Sequence, residues 1–163
     1  MAGKKPRINP LKLIAAIVLC VIIGSSASVF TAPQIGTWYA SLAKPVWNPP
    51  NWLFAPVWTT LFVLMGISLY LVWNKGFKTR GVKIALVIFG AQFALNVLWS
   101  FLFFGLQSPL YGFIEIIALW IMIAATIIAF YKISKPAAFI LLPYIAWVTI
   151  ASLLNYSVLV LNA

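Results

Sequence analysis

Five long apolar runs, separated by short polar or proline-marked breaks, set the pattern of this chain. They cover about Leu11–Phe30, Leu53–Trp73, Val82–Phe104, Leu110–Tyr131 and Ala137–Leu161. Each is close to the ~20 residues a helix needs to cross a ~30 Å hydrocarbon layer. The runs are continuous rather than alternating, so they predict helices and not the strands of a membrane barrel. The expected fold is all-α: one membrane domain over residues 1–163, built as a bundle of five transmembrane helices. Residues 31–52 form a long outer loop, Asn74–Lys83 a basic glycine-punctuated loop, and Gln107-Ser108-Pro109 and Lys132–Pro136 two short turns. Pro143 lies inside the fifth run and has no N–H for the carbonyl of Phe139, which predicts a kink or an opened ladder there.

Within the runs, aromatic and amide side chains recur at helical spacing. Gln92, Asn96, Trp99 and Phe103 share one face of the third span, and Tyr144, Trp147, Ala151 and Asn155 one face of the fifth. Trp58, Phe62, Met65 and Leu69 do the same in the second. Amides are costly in hydrocarbon unless they find partners, so these faces are expected to look into the bundle. Three such stripes are what an apolar pocket with a few orienting hydrogen bonds requires. Asn96 and Asn155 are equally suited to cross-linking helices.

The connection from Trp38 to Trp58, W-Y-A-S-L-A-K-P-V-W-N-P-P-N-W-L-F-A-P-V-W, concentrates tryptophan and proline between two spans. Its prolines fix φ and remove donors, so no ordinary helix is expected before Pro56. We read Trp38–Pro50 as a stiff lid and Trp58 as the first pocket residue of the second span. Trp38, Tyr39, Trp47, Trp52 and Trp73 also suit an interfacial aromatic belt.

Composition strengthens the membrane assignment: 64% of residues are apolar and 7% charged, against about a quarter charged in soluble domains. The +10 net charge sits beside the apolar runs rather than along an aromatic-interleaved face, which points to lipid head groups and topology and away from nucleic acid. Lys4, Lys5, Arg7 and Lys12, then Lys75, Lys78, Arg80 and Lys83, then Lys132 and Lys135 share one side of the membrane, leaving Lys44 alone on the other. The positive-inside rule places the N-terminus in the cytoplasm, with the Trp-rich loop and the C-terminus outside. Residues 1–10 read as a short disordered basic tail. The basic start, the run Leu11–Ile23 and the small residues Gly24–Ser28 also resemble a signal peptide. Retention is expected, because apolar character continues through Val29 and Phe30.

The chemistry available is narrow. There is no histidine, and the single cysteine, Cys20, lies inside a span, so neither a metal site nor an intrachain disulfide is expected. Glu115 is the only carboxylate. It sits near a helix N-terminus, where the dipole favours negative charge and water is near, and we read it as structural. Gly90 and Ala94 offer a small-xxx-small face for helix contact or dimerisation. No phosphate loop or nucleophile–base pair is present, so any reaction depends on the ligand's own chemistry, with tryptophan as a redox or photochemical partner.

Four motifs in order resemble one family: W-Y-x-x-L-x-K-P-x-W-x-P-P at Trp38–Pro50, P-x-W at Pro56–Trp58, Gln92…Asn96-x-x-Trp99-Ser100…Phe103-Phe104-Gly105, and Pro143-Tyr144-x-x-Trp147-x-x-x-Ala151-x-x-Leu154-Asn155. Across nearly the whole chain they resemble the translocator protein family, also called tryptophan-rich sensory protein (TspO) or peripheral benzodiazepine receptor. The resemblance implies a five-helix bundle, often a homodimer, with a ligand cavity under the first long loop. It implies tetrapyrrole ligands such as protoporphyrin and haem, and cholesterol and benzodiazepine-type drugs in animal members. No cofactor is required. By matched position, Tyr39, Phe62, Asn96, Trp99, Trp147 and Ala151 correspond to cavity-lining residues. Trp58 and Trp147 correspond to the tryptophans implicated in light-dependent protoporphyrin breakdown. With the stripes and the lid, the candidate ligand-binding set becomes Trp38, Tyr39, Lys44, Trp47, Pro49, Trp58, Phe62, Gln92, Asn96, Trp99, Phe103, Tyr144, Trp147 and Ala151, with Trp58 and Trp147 catalytic if breakdown occurs. The animal steroid motif needs a basic residue after its tyrosine, and Tyr156 is followed by none. Leu64…Tyr70…Lys75 fits the loose cholesterol pattern, which matches by chance too often to count.

Three functions therefore stand as expectations: a receptor or sensor for a flat apolar ligand such as a tetrapyrrole, an enzyme that degrades porphyrin under light, and a transporter of lipophilic molecules. The charge distribution fits a bacterial-type inner membrane. Lys44 is expected to meet porphyrin carboxylates, which would make an ester bind more weakly.

Overall fold

The computed structural model describes residues 8–163; most of the expected basic tail, residues 1–7, lies outside the described residues. The first span is a bent pair, α1 (Pro10–Ser26) and α2 (Ser28–Ile35), meeting at 44°. A single turn, α3 (Trp38–Ser41), follows in the first long loop. The second span is α4 (Asn51–Trp73). The third is α5 (Val82–Ser100), which runs on into a wide π turn over Phe101–Gly105. The fourth is α6 (Pro109–Tyr131), and the fifth is split into α7 (Lys135–Ile140) and α8 (Leu142–Leu161). No strand occurs among the described residues. The protein is an all-α membrane bundle of five helices.

Capping chemistry explains where the spans begin. Asn9 accepts the Lys12 N–H at 3.1 Å with Pro10 at the first helical position, and Ser108 does the same for Tyr111 at 3.3 Å with Pro109 following. Gly81, at φ 85°, makes the left-handed turn into α5 that a side chain would strain. Neighbouring spans pack α1 on α4, α4 on α7, α7 and α8 on α6, α6 on α5, and α5 back on α1. Around the bundle the spans therefore follow the order first, second, fifth, fourth, third. Gly66 lets α1 and α4 touch, since a Cβ there would lie 2.5 Å from the Ile17 Cα. The Asn9 N–H donates to the Tyr70 hydroxyl at 3.0 Å and pins the start of α1 to the end of α4.

Several expectations need correction. The first span is not one straight helix ending at Phe30. In the Gly24–Ser28 stretch, the Ser26 hydroxyl takes the Ile23 carbonyl at 2.6 Å and the Ala27 N–H donates to Gly24 at 3.2 Å, so the helix breaks and restarts at a new angle. Helix forms before Pro56, both at α3 and from Asn51 onward. Pro56 stands only one turn into α4, where its missing N–H deprives a single carbonyl, that of Trp52. Glu115 is not near water: it is buried and neither carboxylate oxygen has a hydrogen-bond partner. The interruption expected at Pro143 is present, as a turn at Leu141 whose carbonyl receives the N–H groups of both Tyr144 and Ile145.

Candidate ligand-binding cavity

The three predicted stripes converge on a cavity of about 420 Å³ between α1/α2, α4, α5 and α8, within the ~300–1,000 Å³ range of small-molecule sites. Tyr39, Trp58, Phe62, Asn96, Trp99, Phe103, Trp147 and Ala151 all stand on its wall. Its open side faces between α2 and α4, where the lining residues Ser28, Ala32, Ala55 and Thr59 are exposed. The first span bends by 44° here: α1 packs on α4, whereas α2 packs on α3, α5 and the π turn.

The aromatic walls are held in two ways. Trp99 stacks on Phe103 at 5.1 Å and donates its indole N–H to the Asn155 Oδ1 at 3.1 Å. The Asn155 amide in turn donates to the Pro109 carbonyl at 2.8 Å, so one side chain joins α8, α5 and the start of α6. Trp58 stacks on Phe62 at 5.7 Å, and Phe62 fits against Gly24, where a Cβ would come within 2.5 Å of the ring. The π turn brings both Phe103 and Phe104 inward, each buried.

Gln92 and Tyr144 are not on the wall. They form a buried relay behind it: Asn96 Nδ2 donates to the Tyr144 hydroxyl at 3.0 Å, and that hydroxyl donates to Gln92 Oε1 at 3.0 Å. Their role is to fix Asn96, whose side chain does reach the cavity. The Gln92 Nε2 is left without a partner.

The lid residues divide. Tyr39 lines the cavity, and its buried phenol is pushed above its ordinary pKa, so it stays neutral and donates to Asn48 Oδ1 at 3.1 Å. Asn48 Nδ2 in turn donates to the Pro49 carbonyl at 3.0 Å, so Pro49 braces the lid without reaching the cavity. Trp38 packs edge-on against Phe103 at 5.5 Å, behind the wall. Trp47 is 48% exposed and Trp52 72% exposed, as belt residues would be. Lys44 is committed elsewhere, its ammonium donating to the carbonyls of Leu42 at 2.8 Å and Ala40 at 3.3 Å while lying 4.8 Å from the Tyr39 ring centre. Trp73, beneath the Lys12 ammonium at 5.2 Å, also fits the belt.

Sequence reasoning missed the α1/α2 wall, from Gly24 to Ile35, and Phe54 on α4. Phe54 was one helical turn upstream of Trp58 and could have been found by extending that stripe. The Gly24–Ser28 stretch carries no apolar period and contributes by being small. The resulting lining contains no charged side chain. Several of its hydroxyls are turned back on their own helices, Thr31 to the Ala27 carbonyl at 3.3 Å and Thr59 to that of Ala55 at 2.8 Å. Among the described residues no cluster of metal-ligating side chains is present. The site offers ring faces, a few fixed amides and no acid–base pair. That suits stacking and orientation of an uncharged, flat molecule.

Comparison with known proteins agrees with this geometry. The family model described as "TspO/MBR family" matches residues 16–161. The tryptophan-rich protein TspO of Chlorobaculum tepidum is 47% identical over 152 residues, covering 93% of this chain and 96% of the relative. The tryptophan-rich protein TspO of Archaeoglobus fulgidus is 49% identical over 156 residues, covering 95% and 99%. The translocator protein of Homo sapiens is 41% identical over 123 residues, covering 74% and 72%. With the helical bundle, the tryptophan-walled cavity and a family match along nearly its whole length, this chain belongs to the TspO/MBR family.

Proposed function

We propose that this membrane protein is a receptor or sensor that binds a tetrapyrrole, such as protoporphyrin or haem, or a similar flat apolar molecule in the cavity under its outer loop. The observation that carries this reading is the uncharged, ring-lined cavity into which α4, α5 and α8 each bring one tryptophan, Trp58, Trp99 and Trp147. The macrocycle stacks on those rings, Asn96 orients it, and any carboxylates leave through the opening between α2 and α4. The family names "tryptophan-rich sensory protein" and "translocator protein" among the relatives support a sensory membrane role. A bacterial-type inner membrane with a cytoplasmic N-terminus, and a homodimer formed on the exposed Gly90/Ala94 face of α5, belong to the same reading. The test is a titration of protoporphyrin followed by tryptophan fluorescence. Binding is expected to weaken at least tenfold in Trp58→Ala/Trp147→Ala, and equal binding by that double variant would refute this site.

A second reading, light-dependent porphyrin breakdown, is favoured by one observation: Trp58 and Trp147 line the same cavity as the proposed ligand. Phenylalanine at both positions is expected to keep most binding and abolish product. Product formed at an unaltered rate would remove the tryptophans from the chemistry.

A further inference from the structure

On the flank of α4 that meets the fifth span rather than the first, α4 packs on α7 but α4 and α8 do not pack closely along their backbones. Rings bridge the space instead: Phe54 meets Trp147 edge-on at 5.9 Å, and Trp58 meets Tyr144 at 6.4 Å. Outside these rings lies an apolar groove walled by Pro56, Thr60 and Leu64 of α4 and by Pro143, Ala146 and Ile150 of α8. Trp147 belongs to both walls, lining the groove on one side and the cavity on the other. Trp147, seated against Phe54, therefore has the groove on one side and the interior site on the other.

That indole is not latched. Its N–H is buried without a hydrogen-bond partner, whereas the Trp99 N–H is fixed by Asn155. The backbone beside it is weakened as well. α8 restarts at Leu142 after the turn at Leu141, Pro143 leaves the Phe139 carbonyl without its helical donor, and Pro56 does the same to Trp52 across the groove. Below the seam the Ser68 hydroxyl donates to the Ala137 carbonyl at 2.8 Å and holds α7 on α4, but above the turn at Leu141 the two helices meet through rings in edge contact and can part without breaking a side-chain hydrogen bond between them.

We infer that the α4/α8 seam is a second, lipid-facing portal to the cavity, closed by Trp147 against Phe54 and traversed by the cavity's own ligand, an apolar molecule dissolved in the bilayer. The inference rests on the ligand-binding reading above, and adds a route to it. The occupant follows from continuity: the groove has no charged lining residue and shares its inner wall with the cavity. With the α2/α4 opening, the cavity then has two accesses on different faces of the bundle.

The test fills the groove without touching the cavity. Ala146 and Thr60 are exposed and line only the groove. Ala146→Cys is labelled in detergent with a pyrene maleimide and reconstituted in phosphatidylcholine–phosphatidylglycerol vesicles; Cys20, wholly buried, stays unlabelled. Thr60→Trp fills the opposite wall independently. Protoporphyrin association and release are followed by stopped-flow tryptophan quenching, against the unlabelled and unsubstituted proteins. With the α2/α4 opening still available, the expected result is roughly twofold to threefold slower association and release, with equilibrium affinity held within roughly twofold, because a portal is crossed in both directions. Unaltered rates in both filled proteins would overturn the portal and leave binding intact. So would a loss of affinity without slower kinetics, since the groove would then be part of the site. Absence of protoporphyrin binding to the unsubstituted protein would instead refute the ligand-binding reading and this inference with it.

Discussion

Asn162 grips Ala43 by both of its backbone polar groups, accepting the Ala43 N–H at 2.9 Å and donating to the Ala43 carbonyl at 2.9 Å. The same amide donates to the Val158 carbonyl at 2.8 Å. The end of α8 is thereby stitched to the lid between α3 and Pro45. This bond pair and the Tyr39–Asn48 contact hold the loop over the hydrophobic cluster of Phe103, Phe104 and Leu154.

Asn162→Ala should therefore loosen the lid more than the bundle. The expected loss is about 1–2 kcal/mol, given the modest net worth of partly exposed hydrogen bonds. Limited proteolysis should show new cleavage between residues 42 and 50 while helicity by circular dichroism stays constant. A lid as protected as before would show that the clasp contributes nothing.

Close packing makes a contrasting pair of glycine predictions. Gly66→Ala places a methyl 2.5 Å from the Ile17 Cα, a backbone atom that cannot swing aside, and is expected to cost about 1–3 kcal/mol. Within the single chain Gly90→Ala meets nothing within 4 Å, so the monomer should be unaffected or stabilised by up to about 1 kcal/mol through helix propensity. Thermal unfolding in one detergent ranks the two.

Tyr144→Phe removes one oxygen and strands two amides, Asn96 Nδ2 and Gln92 Oε1. The expected destabilisation is about 1–3 kcal/mol. Ligand affinity should fall too, although residue 144 lies off the cavity wall, because Asn96 loses the partner that orients it. Wild-type affinity in this variant would exclude the relay.

Because Lys44 is occupied by the carbonyls of Ala40 and Leu42, it should not discriminate charged from esterified porphyrin. Protoporphyrin dimethyl ester is expected to bind within roughly threefold of the free acid, a difference well under one kcal/mol. This reverses what the sequence suggested. A tenfold preference for the acid would restore Lys44 as a charge partner.

Glu115→Gln replaces a buried carboxyl that has no hydrogen-bond partner with a neutral group of the same shape. Unpaired charge is costly away from water, so the melting temperature should hold or rise. A marked drop would mean that the carboxyl has a stabilising partner after all.

The spans were legible because hydrocarbon imposes long continuous runs, and the pocket walls because Trp58, Phe62, Asn96, Trp99, Trp147 and Ala151 recur at helical spacing. Periodicity misled where it is silent. Residues in an irregular loop carry no facing rule, so periodicity did not separate Tyr39, which reaches the cavity, from Trp47 and Pro49, which do not; only the family resemblance singled out Tyr39. The α1/α2 wall was invisible for the opposite reason: Gly24, Ser25 and Ser28 matter through the side-chain volume they lack. Glu115 was misplaced because depth along a helix does not tell which neighbours cover it.

The uncharged lining has an electrical consequence. Moving a full charge into a site within the bilayer couples its occupancy to the transmembrane voltage, at about 2.3 kcal/mol per 100 mV for a complete crossing. Here no fixed charge lines the cavity, so a guest that seats only its uncharged ring there and keeps any carboxylates at the opening carries little charge through that field. Occupancy should then track how much ligand is dissolved in the membrane, whether the cell is energised or depolarised.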